Sequence, residues 1–186
     1  MYHLPGQWPT PGRPDWLSRM VSRRAIVAGM TVPVALRHVS ALGWVLAGGL
    51  TAGALDIAYA CIFWAVKAGV RPVRIFQSVA EGLLGAAAFR GGAATAVLGL
   101  ALHMSIATTM ATAYYVAALR WPELARHPWR FGPLYGLALY AVMNHVVLPL
   151  SAAGAGSADP AWIGGSIVVH ALFIGLPIAL AVRRAQ

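Results

Sequence analysis

Residues 91–119 form a run of 29 residues without an aspartate, glutamate, lysine or arginine. A helix of that length reaches roughly 40 Å, which exceeds the roughly 30 Å hydrocarbon core of a bilayer. Arg90 and Arg120 bracket the run, as charges at the headgroups would, and His103 lies inside it. The run therefore predicts a membrane-spanning helix that carries one ionisable side chain.

The composition of the chain indicates the same class. Hydrophobic residues make up 59% of the chain and charged residues only 10%, whereas a soluble domain has about 25% charged residues. The formal net charge of +9 could indicate nucleic acid as a partner. Because membrane proteins collect lysine and arginine on their cytoplasmic side, we expect the partner to be the lipid bilayer and not nucleic acid.

Three more apolar stretches complete an all-α integral membrane protein, predicted to be a four-helix bundle. The spans are expected at about residues 43–68, 92–119, 131–152 and 162–182. Residues 43–186 form the transmembrane domain, and residues 1–42 are an irregular basic arm with a short interfacial helix before the first span.

A further amphipathic segment lies between the first and second spans. Residues 75–89 are too few to cross a bilayer, so we expect an interfacial or re-entrant helix there. Arg74, Gln77 and Glu81 share its polar side, and we expect them at the mouth of a cavity. With four spans, the positive-inside rule places ten lysines and arginines in the cytoplasm and four outside. This predicts a bacterial inner-membrane protein with both termini cytoplasmic.

The first span carries its small residues on one face. Gly49, Gly53, Asp56 and Ala60 follow at spacings of four, three and four. Small residues at such spacing allow helices to approach closely. Gly49 and Gly53 could therefore pack against another copy of the chain, as in a homo-oligomer, or against another helix of the same chain.

Four ionisable side chains, one from each span, share one layer of the predicted bundle. Asp56, His103, His145 and His170 all lie roughly 9 to 18 Å below the outer ends of their helices at 1.5 Å per residue. Asn144 belongs to the same layer, although on a helix it points about 100° away from His145. Ionisable residues inside a membrane commonly mark functional sites.

Several functions would use such a polar layer. A titrating cluster of histidine and aspartate could bind or relay protons, or sense pH, because imidazole changes charge near neutral pH. His103, His145, His170 and Asp56 could instead bind a transition metal, or two of the histidines could ligate haem. The third alternative is a polar layer in a non-catalytic assembly or scaffold subunit. No motif assigns a catalytic residue, so we expect a protein that is not an enzyme.

Several short motifs resemble a known family. They are GLALH with His103, AYYVAALRWPEL with Pro122, FGPLYGLALY with Gly132 and Gly136, and NHVVLPL with Asn144, His145 and Pro149, together with His170. Residues 98–175 thus resemble the YagU-like bacterial inner-membrane proteins. The resemblance implies a small polytopic protein with no established enzyme activity and an association with acid tolerance. Those proteins have a histidine five residues before the proline, where this chain has Asn144.

Overall fold

The computed structural model describes the backbone of residues 34–186 and the side chains from residue 40 onward. Most of the predicted arm, including most of its short interfacial helix, therefore lies outside the described residues. Residues His38–Gln186 form one compact unit. This unit contains the whole of the predicted transmembrane domain.

Every regular element in the described part of the chain is helical. The α-helices, numbered here along residues 34–186, are α1 (Val34–Ala68), α2 (Pro72–Leu84), α3 (Gly92–Arg120), α4 (Glu123–Arg126), α5 (Pro128–Leu150) and α6 (Pro160–Ala185), and a 3₁₀ segment covers Gly85–Arg90. The all-α class predicted from the sequence is confirmed.

Four helices are long and apolar enough to cross a membrane. They are Ser40–Ala68 within α1, and the whole of α3, α5 and α6, with 29, 29, 23 and 26 residues. About 20 apolar residues suffice to cross the hydrocarbon core. The chain is therefore a multi-pass membrane protein, and the predicted ends of the spans differ from these helix ends by three residues or fewer.

Helix α2 is the amphipathic helix expected between the first two spans. Pro72 starts it, and Gly85, with a φ of +58°, ends it, which matches the usual places of proline and glycine at helix ends. Its 13 residues are too few to cross a bilayer. A side chain at Gly99 of α3 would overlap the backbone of Phe76, so α2 lies directly across α3.

Small residues let the spanning helices pack backbone to backbone. A Cβ atom at Gly49 of α1 would lie 2.6 Å from Thr108 Cα on α3. A Cβ atom at Gly136 of α5 would overlap the carbonyl oxygen of His170 on α6. Helices in lipid have no hydrophobic drive to associate, so close packing of this kind holds them together.

Gly49 and Gly53, the glycine pair of the first span, pack against another helix of the same chain. A Cβ atom at Gly53 would lie 3.0 Å from both Ala107 Cβ and Met104 Sδ of α3, and Gly49 faces the same helix. Formation of a homo-oligomer through this pair stays a prediction, and a second copy would have to displace α3.

Two further contacts close the four spanning helices into a bundle. The Tyr135 hydroxyl on α5 donates a hydrogen bond of 2.8 Å to the carbonyl oxygen of Met110 on α3. On the other side, a Cβ atom at Gly48 of α1 would lie 2.6 Å from Ala181 Cβ of α6. Each spanning helix therefore touches at least two others.

The main buried core of the bundle lies toward one end. The buried core comprises Val45, Ala52, Ala111, Tyr114, Ala118, Ala125, Leu139, Ile174, Ile178, Ala179 and Val182. Most of these residues lie toward the end of the bundle that carries α4. We call this the packed half; the other half, next to α2 and the loop of residues 151–159, is more open.

Helices α5 and α6 each contain a π-helical segment, at Met143–Val147 and His170–Gly175. In the first, the Leu148 N–H bonds to the carbonyl oxygen five residues earlier. Pro149 and Pro177 follow these segments by two residues. Because proline has no N–H and its ring crowds the carbonyl four residues back, the wider turn accommodates it.

An ion pair joins α1 to α6 at the open end. Lys67, in the last turn of α1, pairs with the Oδ2 atom of Asp159. The Oδ1 atom of Asp159 accepts a hydrogen bond of 2.9 Å from the Trp162 N–H and so caps α6. The Lys67 ammonium, and next the backbone N–H of Trp162, hold the pKa of Asp159 below its usual value of 3.8.

The backbone contact at Gly136 predicts that one added methyl group there lowers the stability of the fold. Gly136→Ala would push α5 away from the His170 carbonyl, and overpacking of this kind costs about 1–3 kcal/mol. Gly164→Ala is the matched control, since a Cβ atom there meets nothing within 4 Å. We expect thermal unfolding in detergent, followed by circular dichroism, to show a lower midpoint for Gly136→Ala alone. Equal midpoints for both variants would contradict this packing.

The lowered pKa of Asp159 predicts a dependence of stability on acid. The carboxylate stabilises the fold fully above pH 3.8, and this stabilisation is lost as the pH falls through the lower pKa of the folded state. Asp159→Asn keeps an oxygen for the cap but cannot titrate. We expect its unfolding midpoint to change less than that of the unaltered protein between about pH 5 and pH 3. Glu123→Gln, outside this contact, should keep the full change.

Candidate functional site

A cleft of about 610 Å³ occupies the open half of the bundle. Residues of α1, α3, α5 and α6 form its walls, and α2 and residues 151–157 border it at the end of the bundle. Its polar lining residues are Asp56, Ser78, Glu81, His103, Asn144, Ser151, Ser157, Ser166 and His170, and the rest of the lining is mostly apolar. Small-molecule sites typically combine an apolar wall with a few polar groups in this way.

Asp56 and His103 face each other across the contact between α1 and α3. The Nε2 atom of His103 lies 3.0 Å from the carbonyl oxygen of Gly53 and 3.7 Å from Asp56 Oδ2. The absence of a side chain at Gly53 keeps α1 close to α3, since a Cβ atom there would lie 3.0 Å from Ala107 Cβ. A carbonyl oxygen only accepts, so Nε2 carries the hydrogen and donates it to Gly53.

The distance of 3.7 Å suits an ion pair when His103 is protonated, but it is too long for a hydrogen bond. The side chains of His103 and Asp56 are 16% and 24% exposed. Both line the cleft, so protons in the cleft can reach them. The cleft is therefore lined by a basic side chain, His103, and an acidic side chain, Asp56, that face each other.

His170 lies on the opposite wall with the reverse orientation of its ring. Its Nδ1 atom lies 2.9 Å from the carbonyl oxygen of Ser166, one turn earlier on α6, so Nδ1 carries the hydrogen. The ring packs edge-on against Tyr140, with centroids 5.3 Å apart. In the neutral ring, Nε2 is therefore the nitrogen that can accept a proton.

Two buried hydroxyl groups near the cleft interact with each other. They belong to Tyr59 on α1 and Ser166 on α6. Ser166 is only 5% exposed and lines the cleft. Its oxygen therefore adds a polar group to a wall that is otherwise mostly apolar.

The structure separates Asn144 from His145. Asn144 lines the cleft, and its Nδ2 atom donates a hydrogen bond of 2.9 Å to the Tyr140 carbonyl oxygen. His145 is exposed on the surface of α5 and does not line the cleft. The angle of about 100° between neighbouring helical residues explains this divergence. Of the predicted polar layer, the cleft therefore joins Asp56, His103, Asn144 and His170.

The three residues predicted at the cavity mouth also separate. Glu81 lines the cleft. Gln77 is buried and donates a hydrogen bond of 2.9 Å to the Gly92 carbonyl oxygen, and the Arg74 guanidinium lies 4.7 Å from the centre of the Phe89 ring. Gln77 therefore links α2 to the start of α3, and Arg74 links α2 to the 3₁₀ segment. Neither residue lines the cleft.

The predicted metal ligands do not form a metal site in this arrangement. Within the part of the chain that the structure describes, no three histidine, cysteine, aspartate or glutamate side chains lie close enough to hold an ion. His145 lies outside the cleft, and the Nε2 atom of His103 already bonds to Gly53. The geometry gives Asp56 and His103 a pairwise contact only.

An aromatic group beside the cleft was not among the predicted site residues. Trp64 and Trp162 line the cleft with their ring centroids 5.5 Å apart. Tyr59 stacks on Trp162 at 5.4 Å, and Phe63 packs against the same indole at 5.2 Å. Trp64 and Trp162 lie near the ends of their spans, where aromatic rings favour the membrane interface. The position of the two tryptophans near the ends of predicted spans is the sequence feature that could have indicated this aromatic group.

No known protein family matches this chain, and no curated protein or solved structure is significantly similar to it. The resemblance to the YagU-like proteins therefore stays a prediction from sequence motifs. The fold and the cleft define the class of the protein, which is a multi-pass helical membrane protein with a polar cleft between its spans.

The two cleft histidines should adopt opposite neutral tautomers. His103 is fixed with its hydrogen on Nε2 and His170 with its hydrogen on Nδ1, because each donates to a carbonyl oxygen. Nitrogen-15 NMR of histidine-labelled protein at alkaline pH distinguishes the two forms. His103→Gln and His170→Gln assign the signals. The same tautomer at both positions would contradict the geometry described here.

Proposed function

We propose that this protein binds and releases protons at Asp56 and His103 and so responds to pH within the membrane. The observation that carries the proposal is the approach of Asp56 Oδ2 to His103 Nε2, 3.7 Å, in a cleft that also holds Glu81 and His170. At this distance, a proton that binds to either group changes its attraction to the other. A change of pH would therefore change the charge of the cleft as a whole.

The hydrogen bond to Gly53 decides where the proton binds. Because Nε2 of His103 already carries a hydrogen, an incoming proton binds at Nδ1 and makes the ring cationic. The Asp56 carboxylate stabilises that cation. When Asp56 also takes a proton, the attraction is lost, and the contact between α1 and α3 weakens. Protonation thus acts on a contact between two spanning helices.

The proposal places the chain in a bacterial inner membrane with both termini in the cytoplasm. The packed end of the bundle carries five arginines, namely Arg120, Arg126, Arg130, Arg183 and Arg184. Arginines near span ends favour the cytoplasmic side. In that orientation the cleft opens away from the cytoplasm, toward the side on which external acid arrives. A role in acid tolerance would agree with the resemblance to the YagU-like proteins.

The test is a pH titration of the purified protein, followed by tryptophan fluorescence, because Trp64 and Trp162 line the same cleft. We expect a fluorescence transition between about pH 4 and pH 8, where carboxylates and imidazoles titrate. Asp56→Asn and His103→Gln should each remove or displace it. Gln at position 103 can still donate to the Gly53 carbonyl, so the change removes titration and leaves a donor.

Glu123 in α4 and His127, the residue after this helix, form a matched control pair. His127 Nε2 lies 3.2 Å from Glu123 Oε2, and both side chains are at least half exposed. Glu123→Gln and His127→Gln should leave the fluorescence transition unchanged. If Asp56→Asn and His103→Gln keep the transition while they remain folded by circular dichroism, the proposed proton site is wrong.

A further inference from the structure

We propose that the cleft binds a lipophilic organic cation, which is a molecule with an apolar, ring-containing body and one positive charge. The proposal extends the proposed function, because the cation and the proton would compete for Asp56. It depends on the charge, the aromatic lining, the size and the hydrogen-bonding capacity of the cleft.

The charged lining of the cleft is acidic. Asp56 and Glu81 line it, and no lysine or arginine is among its described lining residues. Glu81 has no ion pair within the described chain, and Asp56 has only the contact of 3.7 Å with His103. Of the nearby cations, Lys67 pairs with Asp159, and Arg74 lies over the Phe89 ring. Near neutral pH the two carboxylates thus lack a strong basic partner.

Aromatic rings on the cleft wall suit a cation as well. Trp64 and Trp162 line the cleft and pack against each other, with Tyr59 and Phe63 behind them. The faces of indole rings attract cations, most strongly where water is excluded. Carboxylates together with indole rings therefore favour a cation over an anion or a neutral molecule of equal size.

The size of the cleft indicates an organic ligand. Its volume of about 610 Å³ falls within the range of roughly 300–1,000 Å³ that is typical of sites for small molecules. A bare metal ion or a simple ammonium would leave most of this apolar volume unfilled. A cation with several rings would fill it and would remove the apolar wall from water.

Ser166 adds a hydrogen-bond acceptor to the cleft wall. Its side chain lines the cleft and is only 5% exposed, and its hydroxyl interacts with that of Tyr59. The oxygen of Ser166 can still accept a hydrogen bond from a ligand with an amino group, because a hydroxyl oxygen has two lone pairs.

Protons should oppose binding of the cation. The titratable groups on the elements around Asp56 are Tyr59 on α1, Glu81 on α2, His103 on α3, Tyr140 on α5 and His170 on α6. Protonation of a histidine adds a positive charge to the cleft, and protonation of a carboxylate removes a negative one. Both changes make the cleft less favourable for a cation, so affinity should fall as the pH is lowered.

The experiment is a fluorescence titration of ethidium, a cation with amino groups, into purified protein in detergent. We expect saturable binding of one ethidium per chain at pH 8 and binding at least about tenfold weaker at pH 5. Tetraphenylphosphonium should displace ethidium, and the neutral triphenylphosphine oxide should not. Displacement by both compounds to the same extent would overturn the charge argument.

Single substitutions test whether ethidium binds in the cleft. Asp56→Asn should weaken binding about tenfold or more, and Glu81→Gln should weaken it less. Ser166→Ala should weaken ethidium but not tetraphenylphosphonium, which has no hydrogen-bonding groups. Glu123→Gln, an exposed carboxylate outside the cleft, should bind as the unaltered protein does. Failure of ethidium to bind at pH 8, or equal binding by Asp56→Asn, would overturn the proposal.

The experiments distinguish failure of the proposed proton site from failure of the proposed cation site. If Asp56→Asn removes the tryptophan pH transition and the protein binds no ethidium, the cation site is wrong and the proton site is supported. If Asp56→Asn weakens ethidium binding but keeps the tryptophan transition, the proton site is wrong and the cation site is supported.

Discussion

The structure depends on the rule that every backbone N–H and C=O group inside lipid must find a partner within the protein. Each of the four helices satisfies this rule internally, so the rule alone does not make the helices associate. Close packing at glycine does, because Gly49 allows α1 to touch the backbone of α3, and Gly136 allows the same between α5 and α6. The close contacts fix the packed half of the bundle. The polar groups of the cleft lie beyond that half, where the helices leave a volume between them.

The same glycine contacts also position the chemistry of the cleft. Gly53 exposes its carbonyl oxygen to His103, and that hydrogen bond selects the tautomer of the ring and its distance from Asp56. A larger residue at position 53 would separate α1 from α3 and remove the bond together with the ion-pair contact. Helix packing and the proposed proton site therefore depend on one interface. In the proposed function, this is the physical reason why protonation would affect the contact between α1 and α3.

Much of the fold could be predicted from the sequence, because a charge-free run of residues has few alternatives to a membrane span. The divergence of Asn144 and His145 also follows from helical geometry alone. The roles of Gln77 and Arg74 could not be predicted, since they depend on where α2 meets α3 and the 3₁₀ segment, and the polar face of α2 does not specify those contacts. Likewise, Pro149 and Pro177 indicate local breaks in their helices, but not the π form of those breaks.

Those π segments lie where the packed half gives way to the cleft, close to the core residues Leu139 and Ile178. Sharp changes of direction in helices usually occur at prolines and π turns. In α6 the π segment also meets α5 backbone to backbone, since a Cβ atom at Gly136 would overlap the His170 carbonyl oxygen. The wider turn of α6 and its closest contact with α5 therefore fall at the same level of the bundle.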